Sequence, residues 1–436
     1  MVSLVMVRPL DQPQSRHIPE LDGIRGIAVL LVLMFHFGSA PLPDSPWNNF
    51  LHQFIGFGWI GVDLFFVLSG CLITGILLEA KGSTHYLRTF YMRRALRIFP
   101  LYYATLILFF WVMPPLARWL HMFWPRLTST EQVWYWLHIS NIRTAFEPLI
   151  YPHVTHLWSL SVEEQFYLVW PLVVLWCSEA GLAWTCGVLI LLSLGLRNVP
   201  EFQAMGVTHN NFLYRLTPFR IEPLVLGACI PLIIRNPQWL FVARRRMAGV
   251  LLGGCCITAF VLITARTTWL HAPLMTRFGY SGIGLTFASS IFFAVTRSGS
   301  AHRWTRGLRS PVLMRLGKYS YAMYVIHNPT VGFVKGVVLV AMPKQGWEAV
   351  SQLLIIATGV GLTYLLALCT WKWLEQPFLQ LKDRFSYADS PAEGSAGLRK
   401  LHLATSQTVA QPNNTVTQPD HEPCAPTRTA QAEDSA

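Results

Sequence analysis

Long apolar runs alternate with short polar segments along most of the chain, from about residue 21 to residue 378. Ten of these runs are close to the length of about 20 residues that an α-helix needs to cross a bilayer. Because lipid offers the backbone no hydrogen-bond partner, each run is expected to be helical. The pattern predicts an all-α, polytopic transmembrane bundle with spans near residues 21–40, 56–79, 94–115, 159–178, 183–199, 217–235, 248–266, 278–297, 312–340 and 348–378.

Three other segments depart from this pattern. Residues 1–20 lack the charged, apolar and small-residue order of a cleavable signal peptide, so we expect them to remain as a cytoplasmic N-terminal segment. Residues 383–436 contain almost no large apolar side chains, which predicts a disordered tail after a membrane domain at 21–382. Residues 116–158, rich in Trp, His and Pro, are expected to lie along or dip into the membrane and to shape an acceptor site.

Composition and charge agree with a membrane protein. Hydrophobic residues make up 53% of the chain and charged residues only 13%. The net charge of +12 does not indicate a nucleic-acid partner, because basic residues beside membrane spans are the ordinary orientation signal. With a cytoplasmic N-terminus, fifteen Lys and Arg residues flank the internal loops and seven the outer ones, so both termini are predicted to be cytoplasmic in an inner-membrane protein. The cysteines show no zinc-type spacing, and we expect no metal.

His36 lies deep within the first apolar segment, where an ionisable side chain is expensive and therefore a candidate for function. On a helix, Asp22, Arg25 and His36 fall within roughly 60° of one face. This spacing predicts one polar stripe along the first span. His36 would lie roughly 21 Å from the cytoplasmic start of the helix.

Three arginines open the third span: Arg93, Arg94 and Arg97. Guanidinium groups donate planar, bidentate hydrogen bonds that suit phosphate. These arginines could also be a plain orientation signal. We interpret them as a donor-binding group at the cytoplasmic face, because Arg97 is followed directly by apolar sequence and must face protein or a cavity.

The fourth span carries a ladder of polar groups. Ser159, Glu163 and Tyr167 are spaced by four, so a helix aligns them on one face. A carboxylate in the membrane needs a partner, for which His36, an arginine and a substrate hydroxyl are all candidates.

Further ionisable residues within the apolar segments are predicted to support the site. Asp63, Arg220 and Glu222 are candidates for buried ion pairs around a cavity. His327, followed by Asn328 and Pro329, is either a packing histidine near a kink or the strongest rival of His36 as a base.

Four separated motifs resemble the acyltransferase 3 family of integral membrane O-acyltransferases, in matching order over about residues 18–382. They are LDGIRGIA at 21–28 with His36, GVDLFFVLSG at 61–70, RALR at 94–97 and SLSVEEQFY at 159–167. Supporting matches are FRIEPLVLG at 219–227, SYAMYVIHNP at 320–329 and LEQP at 374–377.

The resemblance implies that His36 is catalytic, that Arg94 and Arg97 serve an acyl donor, usually an acyl-CoA, and that Ser159, Glu163 and Tyr167 belong to the functional core. Two departures are Cys71, where an aromatic residue is usual, and the lack of a soluble esterase domain after the membrane part.

The sequence therefore predicts transfer of an acetyl or other short acyl group from acyl-CoA, with no tightly bound cofactor, to a carbohydrate or glycolipid, as in lipopolysaccharide or exopolysaccharide biosynthesis. His36 and Glu163 are the predicted catalytic residues, supported by Asp22, Arg25, Ser159 and Tyr167. His36 acts either as a general base or as a covalent acyl carrier. The alternative function is secondary transport of a small polar solute, although no repeated halves are evident.

Overall fold

Helices account for every regular element in the part of the chain that the structure describes. The computed structural model describes residues 17–38, 46–119, 121, 124–125, 127–147, 152–209, 211–341 and 347–387. Of the predicted tail, 383–436, the part from 388 onward lies outside the described residues. Of the predicted N-terminal segment, 1–20, the part up to residue 16 does so as well.

The long helices agree with the predicted spans to within five residues, apart from the starts of the third and seventh helices and the ends of the third and tenth, which all come eight or more residues earlier than predicted. They are α1 (Pro19–Phe37), α3 (Gly61–Ala80), α4 (Tyr86–Ile107), α9 (Trp158–Trp176), α10 (Glu179–Asn198), α13 (Thr217–Arg235), α14 (Pro237–Ala265), α15 (Tyr280–Thr296), α17 (Pro311–Ala341) and α18 (Glu348–Thr370). Shorter helices lie between them: α2 (Pro46–Gly56), α5 (Met113–Trp119), α6 (Ser129–Trp136), α7 (Ser140–Phe146), α8 (Pro152–Thr155), α11 (Pro200–Thr208), α12 (Phe212–Arg215), α16 (Arg303–Leu308) and α19 (Gln376–Gln380). Single turns of π-helix occur at Leu108–Val112, Met275–Gly279 and Trp371–Glu375, and 3₁₀ turns at Phe57–Ile60 and Leu381–Arg384.

Eight helical stretches among the described residues are long and apolar enough to cross a membrane. The other two predicted spans, α1 and α9, are each 19 residues long but carry several charged side chains. Large apolar side chains such as Trp184, Ile263 and Val340 are more than 70% exposed on the protein surface. Such a surface is suited to lipid rather than to water. The chain is thus a multi-pass helical membrane protein.

Contacts between helix ends show that successive spans run in opposite directions. At the end where α1 begins, Arg309 pairs with Glu20 and Arg235 pairs with Glu179. At the opposite end, Gln352 donates a hydrogen bond to the carbonyl of Phe37. We refer to the end where α1 begins as the predicted cytoplasmic end.

Helix α1 lies in close contact with α17 because glycines remove the side chains between them. A methyl group at Gly317 would lie 1.9 Å from the carbonyl oxygen of Asp22, and one at Gly26 would lie 2.3 Å from that of Leu313. Both distances are far below van der Waals contact, so only glycine fits. This approach brings Asp22 and Arg25 of α1 next to the residues of α17.

The segment predicted as a long outer connection packs against the bundle. The hydroxyl of Tyr102, well inside α4, donates to the carbonyl of Tyr135 at 2.8 Å. Ser140 shares a 2.9 Å hydrogen bond with Ser161 of α9. Helices α6 and α7 are therefore held against the middle of the membrane domain.

The chain packs a little beyond the predicted domain boundary at 382. Arg93 donates to the carbonyl of Phe385 at 2.8 Å, and Thr89 donates to that of Ser386. The first residues of the predicted tail, 383–387, thus lie against α4 because backbone carbonyls there satisfy polar side chains of that helix.

Candidate active site

A narrow cavity of about 120 Å³ lies among α1, α3, α4, α9 and α17. The predicted ladder of α9 lines it, since Ser159, Glu163 and Tyr167 all face this space. Apolar side chains such as Val62 and Phe66 of α3 form the rest of the wall. The cavity therefore combines an apolar wall with convergent polar and charged groups, as ligand sites do.

Glu163 finds its partners on α3 and on its own helix. The hydroxyl of Ser69 donates to Glu163 Oε1 at 2.7 Å, and Tyr167 donates to Ser69 Oγ at 3.0 Å. The sequence had suggested His36, an arginine or substrate as the partner of this carboxylate, and Ser69 takes that place instead. The three groups form a closed triangle that fixes Glu163 against the cavity wall.

The far end of the narrow cavity is closed by a pair of hydroxyl groups. Ser159 and Tyr324 of α17 are hydrogen-bonded to each other. Tyr324 also donates to the carbonyl of His156 at 3.0 Å. This end of the cavity therefore connects directly to the segment before α9.

Three arginines lie where the narrow cavity meets a second, wider one. Arg25, Arg94 and Arg97 line both spaces. Arg94 lies 5.8 Å from the ring centre of Tyr167, and Arg97 Nη1 lies 3.9 Å from Glu375 Oε2. These guanidinium groups thus lie between the ladder of α9 in the narrow cavity and a second, basic cavity.

Arg94 and Arg97 lie farther along their helix than the sequence predicted. Helix α4 begins at Tyr86, eight residues before the predicted start of the span, because its first turns are amphipathic rather than uniformly apolar. The two arginines therefore lie roughly 12–16 Å from the start of the helix and not in its first turn. Both line the cavities inside the bundle, where charged groups of a membrane helix are accommodated.

Arg93 is separated from the other two arginines. Its Nη1 donates to the carbonyl of Phe385, and it does not line the narrow or the wide cavity. Adjacent residues on a helix point in directions about 100° apart, so Arg93 and Arg94 cannot share one face. The structure therefore places Arg94 and Arg97 at the two cavities and Arg93 at the backbone of Phe385.

The wide cavity has a volume of about 620 Å³, within the usual range for small-ligand sites. It lies on the side of the three arginines that is nearer the predicted cytoplasmic end, and it is lined in addition by Asp22, Arg315, Lys318 and Lys382. Asp22 is the one carboxylate among its lining residues. Arg25 Nη1 lies 3.1 Å from Asp22 Oδ1, and the remaining basic groups give this space a strong positive charge.

His36 belongs to a cluster of three histidines beyond the narrow cavity. Its ring centre lies 4.6 Å from that of His327, and His327 lies 4.9 Å from His156. The ring of Tyr324, which lines the cavity, lies 5.6 Å from His327. One imidazole thus separates the cavity wall from His36.

The hydrogen bonds of these histidines determine which ring nitrogen carries the proton in the neutral form. His36 Nδ1 lies 2.9 Å from the carbonyl of Val32, and His327 Nδ1 lies 2.6 Å from that of Tyr324. A carbonyl only accepts hydrogen bonds, so Nδ1 is the donor in both rings. Nε2 of His36 is then the nitrogen with a lone pair, as a base or a nucleophile requires.

The predicted polar stripe along α1 is interrupted. Between Arg25 and His36, the same face carries Val29 and Val32, which are both almost completely buried. Asp22 and Arg25 line the wide cavity, whereas His36 contacts His327 and lines neither cavity. Helical spacing aligned these residues correctly, but neighbouring helices divide the face into two separate polar layers.

Two buried ion pairs support the bundle beside the cavity. Asp63 and Arg220, both fully buried, are joined at 2.8 Å, and the guanidinium also lies 4.4 Å from the ring centre of Tyr280. Glu222 pairs with Arg197 of α10. The prediction of buried pairs for Asp63, Arg220 and Glu222 is confirmed in geometry. Arg197, the partner of Glu222, is buried near the end of its helix.

Four residues of this arrangement were not among the predicted site residues: Ser69, His156, Tyr324 and Glu375. Each lies in or next to a quoted motif, so a signal was present. Sequence spacing could not reveal their role, because each acts through a contact with a different helix.

Comparison with known proteins agrees with the motifs. A family model described as an acyltransferase domain matches residues 18–372. The O-acetyltransferase OatA of Staphylococcus aureus is 27% identical over 378 residues, which cover 83% of this chain and 57% of that protein. The peptidoglycan O-acetyltransferase OatA of Listeria monocytogenes is 27% identical over 379 residues, which cover 83% of this chain and 56% of that protein.

The chain spans a little over half the length of these curated relatives. No solved structure matches it significantly. Since the family model covers most of the chain, including every predicted site residue, this protein belongs to the acyltransferase 3 family of integral membrane acyltransferases.

Proposed function

We propose that this protein is a membrane-embedded O-acyltransferase that moves an acetyl or other short acyl group from acyl-CoA to a hydroxyl group of a cell-envelope carbohydrate. The observation that carries the proposal is the position of Arg25, Arg94 and Arg97 at the junction of the two cavities. A donor with phosphates at one end and a thin thioester arm at the other fits this arrangement. We place the protein in the inner membrane.

The donor enters from the predicted cytoplasmic end. Its diphosphate lies at the three arginines, where bidentate hydrogen bonds are available. The pantetheine arm continues into the narrow cavity, past the Ser69–Glu163–Tyr167 triangle and toward Ser159 and Tyr324. Hydroxyl groups at this end could stabilise the oxyanion that forms on the thioester carbonyl.

The acceptor approaches from the opposite end, near His36. In the simplest step, Nε2 of His36 removes the acceptor proton while the acceptor oxygen attacks the thioester carbon. The carbon–sulfur bond breaks, and the CoA thiolate receives the proton from the imidazolium. For this step the thioester carbon must come into contact with His36, and the rings of Tyr324 and His327 lie between the narrow cavity and His36. In the covalent alternative, Nε2 itself carries the acyl group before transfer.

The names of the relatives support an acetyl group and a carbohydrate acceptor, since the protein from Listeria monocytogenes is called a peptidoglycan O-acetyltransferase. Peptidoglycan therefore joins lipopolysaccharide, exopolysaccharide and glycolipids as a candidate acceptor. Mass spectrometry of envelope glycans from cells with and without the protein would identify it by the loss of one acetyl mass.

Purified protein in proteoliposomes with radiolabelled acetyl-CoA tests the proposal. We expect CoA release and label on an added glycan, both absent in protein-free vesicles. Label transferred first to the protein and then to the glycan would favour the covalent route. Uptake of a small solute without any thioester cleavage would instead support the transporter alternative.

A further inference from the structure

The wide cavity contains basic groups that the narrow cavity does not share. Arg315 and Lys318 lie on the first turns of α17, and Lys382 lies in the 3₁₀ turn after α19. Together with the three arginines at the junction, they place six basic side chains around one space, against the single carboxylate of Asp22 among its lining residues. A diphosphate carries two negative charges, so further anionic groups of a ligand can be bound here.

Helix α17 shows the order of the layers along the bundle. Arg315 and Lys318 line the wide cavity, Tyr321 and Tyr324 line the narrow one, and His327 belongs to the histidine cluster. From Arg315 to His327 the rise is roughly 18 Å. A ligand that extends through these layers must be elongated. Its chemical groups must also follow one another in the same order as the layers that bind them.

The indole of Trp371 holds two of the cations in place. Lys318 Nζ lies 5.1 Å from a ring centre of this residue, and the guanidinium carbon of Arg97 lies 5.6 Å away. Cation–π contacts at such distances are attractive. Lys318, which belongs to the wide cavity, is therefore positioned next to Arg97 at the junction.

Acyl-CoA has its chemical groups in the order that these layers require. The acyl thioester and pantetheine come first, then the diphosphate, and last the adenosine with a phosphate monoester on its ribose. If the diphosphate lies at Arg25, Arg94 and Arg97, the ribose phosphate lies farther toward the cytoplasmic end. A phosphate monoester carries a charge of about −1.5 to −2 at neutral pH and accepts several strong hydrogen bonds.

We propose that Arg315, Lys318 and Lys382 form a subsite for the 3′-phosphate of the donor, so that the protein distinguishes acyl-CoA from acyl donors that lack this phosphate. The proposal rests on the proposed function, because it assumes a CoA thioester as donor. It assigns these cations to ligand recognition rather than to membrane orientation alone.

The test compares acetyl-CoA with acetyl-dephospho-CoA, which lacks only the 3′-phosphate. For the wild-type protein we expect a KM about 10-fold or more higher for the dephospho donor, with a similar kcat. This ratio corresponds to one or more lost hydrogen bonds to a charged group. Equal KM values for the two donors would overturn the subsite.

Lys318→Gln, Arg315→Gln and Lys382→Gln provide the second comparison. Each should raise the KM for acetyl-CoA and leave that for acetyl-dephospho-CoA unchanged. Arg245→Gln is the matched control, because Arg245 is a basic residue at the same predicted end that does not line the cavity. Variants that raise both KM values equally would contradict a specific phosphate contact.

A binding measurement separates the subsite from the proposed function. CoA and dephospho-CoA are titrated into wild-type protein without acceptor, so that no transfer is required. Tighter binding of CoA supports the subsite even if transfer fails, and equal binding rejects it. Absence of transfer from both donors would count against the acyltransferase proposal alone.

Discussion

His36 is the residue whose chemistry the proposal needs most. Its Nδ1 donates a hydrogen bond to the carbonyl of Val32, so Nε2 is the basic nitrogen. Its ring contacts that of His327. His327 also donates through Nδ1, to the carbonyl of Tyr324, whereas His156 donates through Nε2 to the carbonyl of Val325. All three imidazoles are thus oriented by hydrogen bonds to backbone carbonyl groups.

Replacing His36 by Ala should reduce kcat by roughly 10²–10⁴-fold, the usual contribution of a general base. Membrane insertion should be unaffected, because removal of a polar group within a span does not oppose insertion. The measurement is acetyl transfer by purified protein at equal amounts of inserted chain. His327→Ala serves as the comparison and should retain more activity. Full activity of His36→Ala, or complete inactivity of His327→Ala alone, would show that the base was assigned to the wrong helix.

A phosphate-binding role of Arg94 and Arg97 can be distinguished by experiment from a role in membrane orientation alone. The rule that orients membrane proteins counts Lys and Arg alike, whereas only Arg offers a planar fork to phosphate. Both residues line the two cavities, although Arg94 also lies over Tyr167 and Arg97 near Glu375. Their geometry and not only their charge is therefore expected to matter.

Changing both to Lys should raise the KM for acetyl-CoA by about 5- to 150-fold, which corresponds to a loss of about 1–3 kcal/mol from charged hydrogen bonds. Arg245→Lys, at another position of the predicted cytoplasmic end, should leave the KM unchanged. If wild type, the double variant and the control share one KM, these arginines only orient the helix and the donor site lies elsewhere.

At the scale of elements, the contact between α1 and α17 decides the shape of the site. Helix α1 carries Arg25 and His36. Helix α17 carries Lys318, Tyr324 and His327. Their backbones approach closely only because Gly26 and Gly317 have no side chains at the contact. A change of helix separation would therefore alter both cavities and the histidine cluster together.

Gly317→Ala should lower the thermal stability of the detergent-solubilised protein and reduce transfer, because the new methyl group would collide with the carbonyl oxygen of Asp22. Gly332→Ala, on the same helix with nothing within 4 Å of the added methyl group, is the matched control. The control should be neutral or slightly stabilising, since Ala favours a helix over Gly by about 1 kcal/mol. Similar melting temperatures for the two variants would contradict a close packing of α1 on α17.

At the scale of the whole molecule, the packed part of the chain reaches past the boundary that composition suggested. The backbone carbonyls of Phe385 and Ser386 accept hydrogen bonds from side chains of α4. Lys382 lines the wide cavity. From residue 388 onward, the composition lacks the apolar side chains needed to bury a surface. The functional boundary is therefore expected to lie near Tyr387.

A chain that ends at Tyr387 should keep kcat and KM close to wild type. A chain that ends at Gln380 should show a higher KM for acetyl-CoA, because it lacks Lys382 and the carbonyl that Arg93 contacts. The two truncations are compared at equal insertion into membranes. Loss of activity in the longer chain would reveal a role for the tail, and wild-type kinetics in the shorter chain would exclude one for 381–387.

The sequence by itself determined the helices, their order and the family. A membrane span must satisfy its backbone internally and have a minimum apolar length, so local hydropathy is enough to locate it. Spacing by four was also enough to place Ser159, Glu163 and Tyr167 on one face, as the cavity lining confirms. The assignment of roles to these residues and the cytoplasmic position of both termini remain predictions.

Only the tertiary structure decided which polar groups meet. Ser69 is 94 positions from Glu163 in the chain, and His327 is separated from His36 by most of the membrane domain. Helical periodicity describes one helix at a time, so it aligned Arg25 with His36 but could not show that Val29 and Val32 divide them between two layers. The partner of a buried polar group depends on which helix faces are packed together, and that is a property of the assembled bundle.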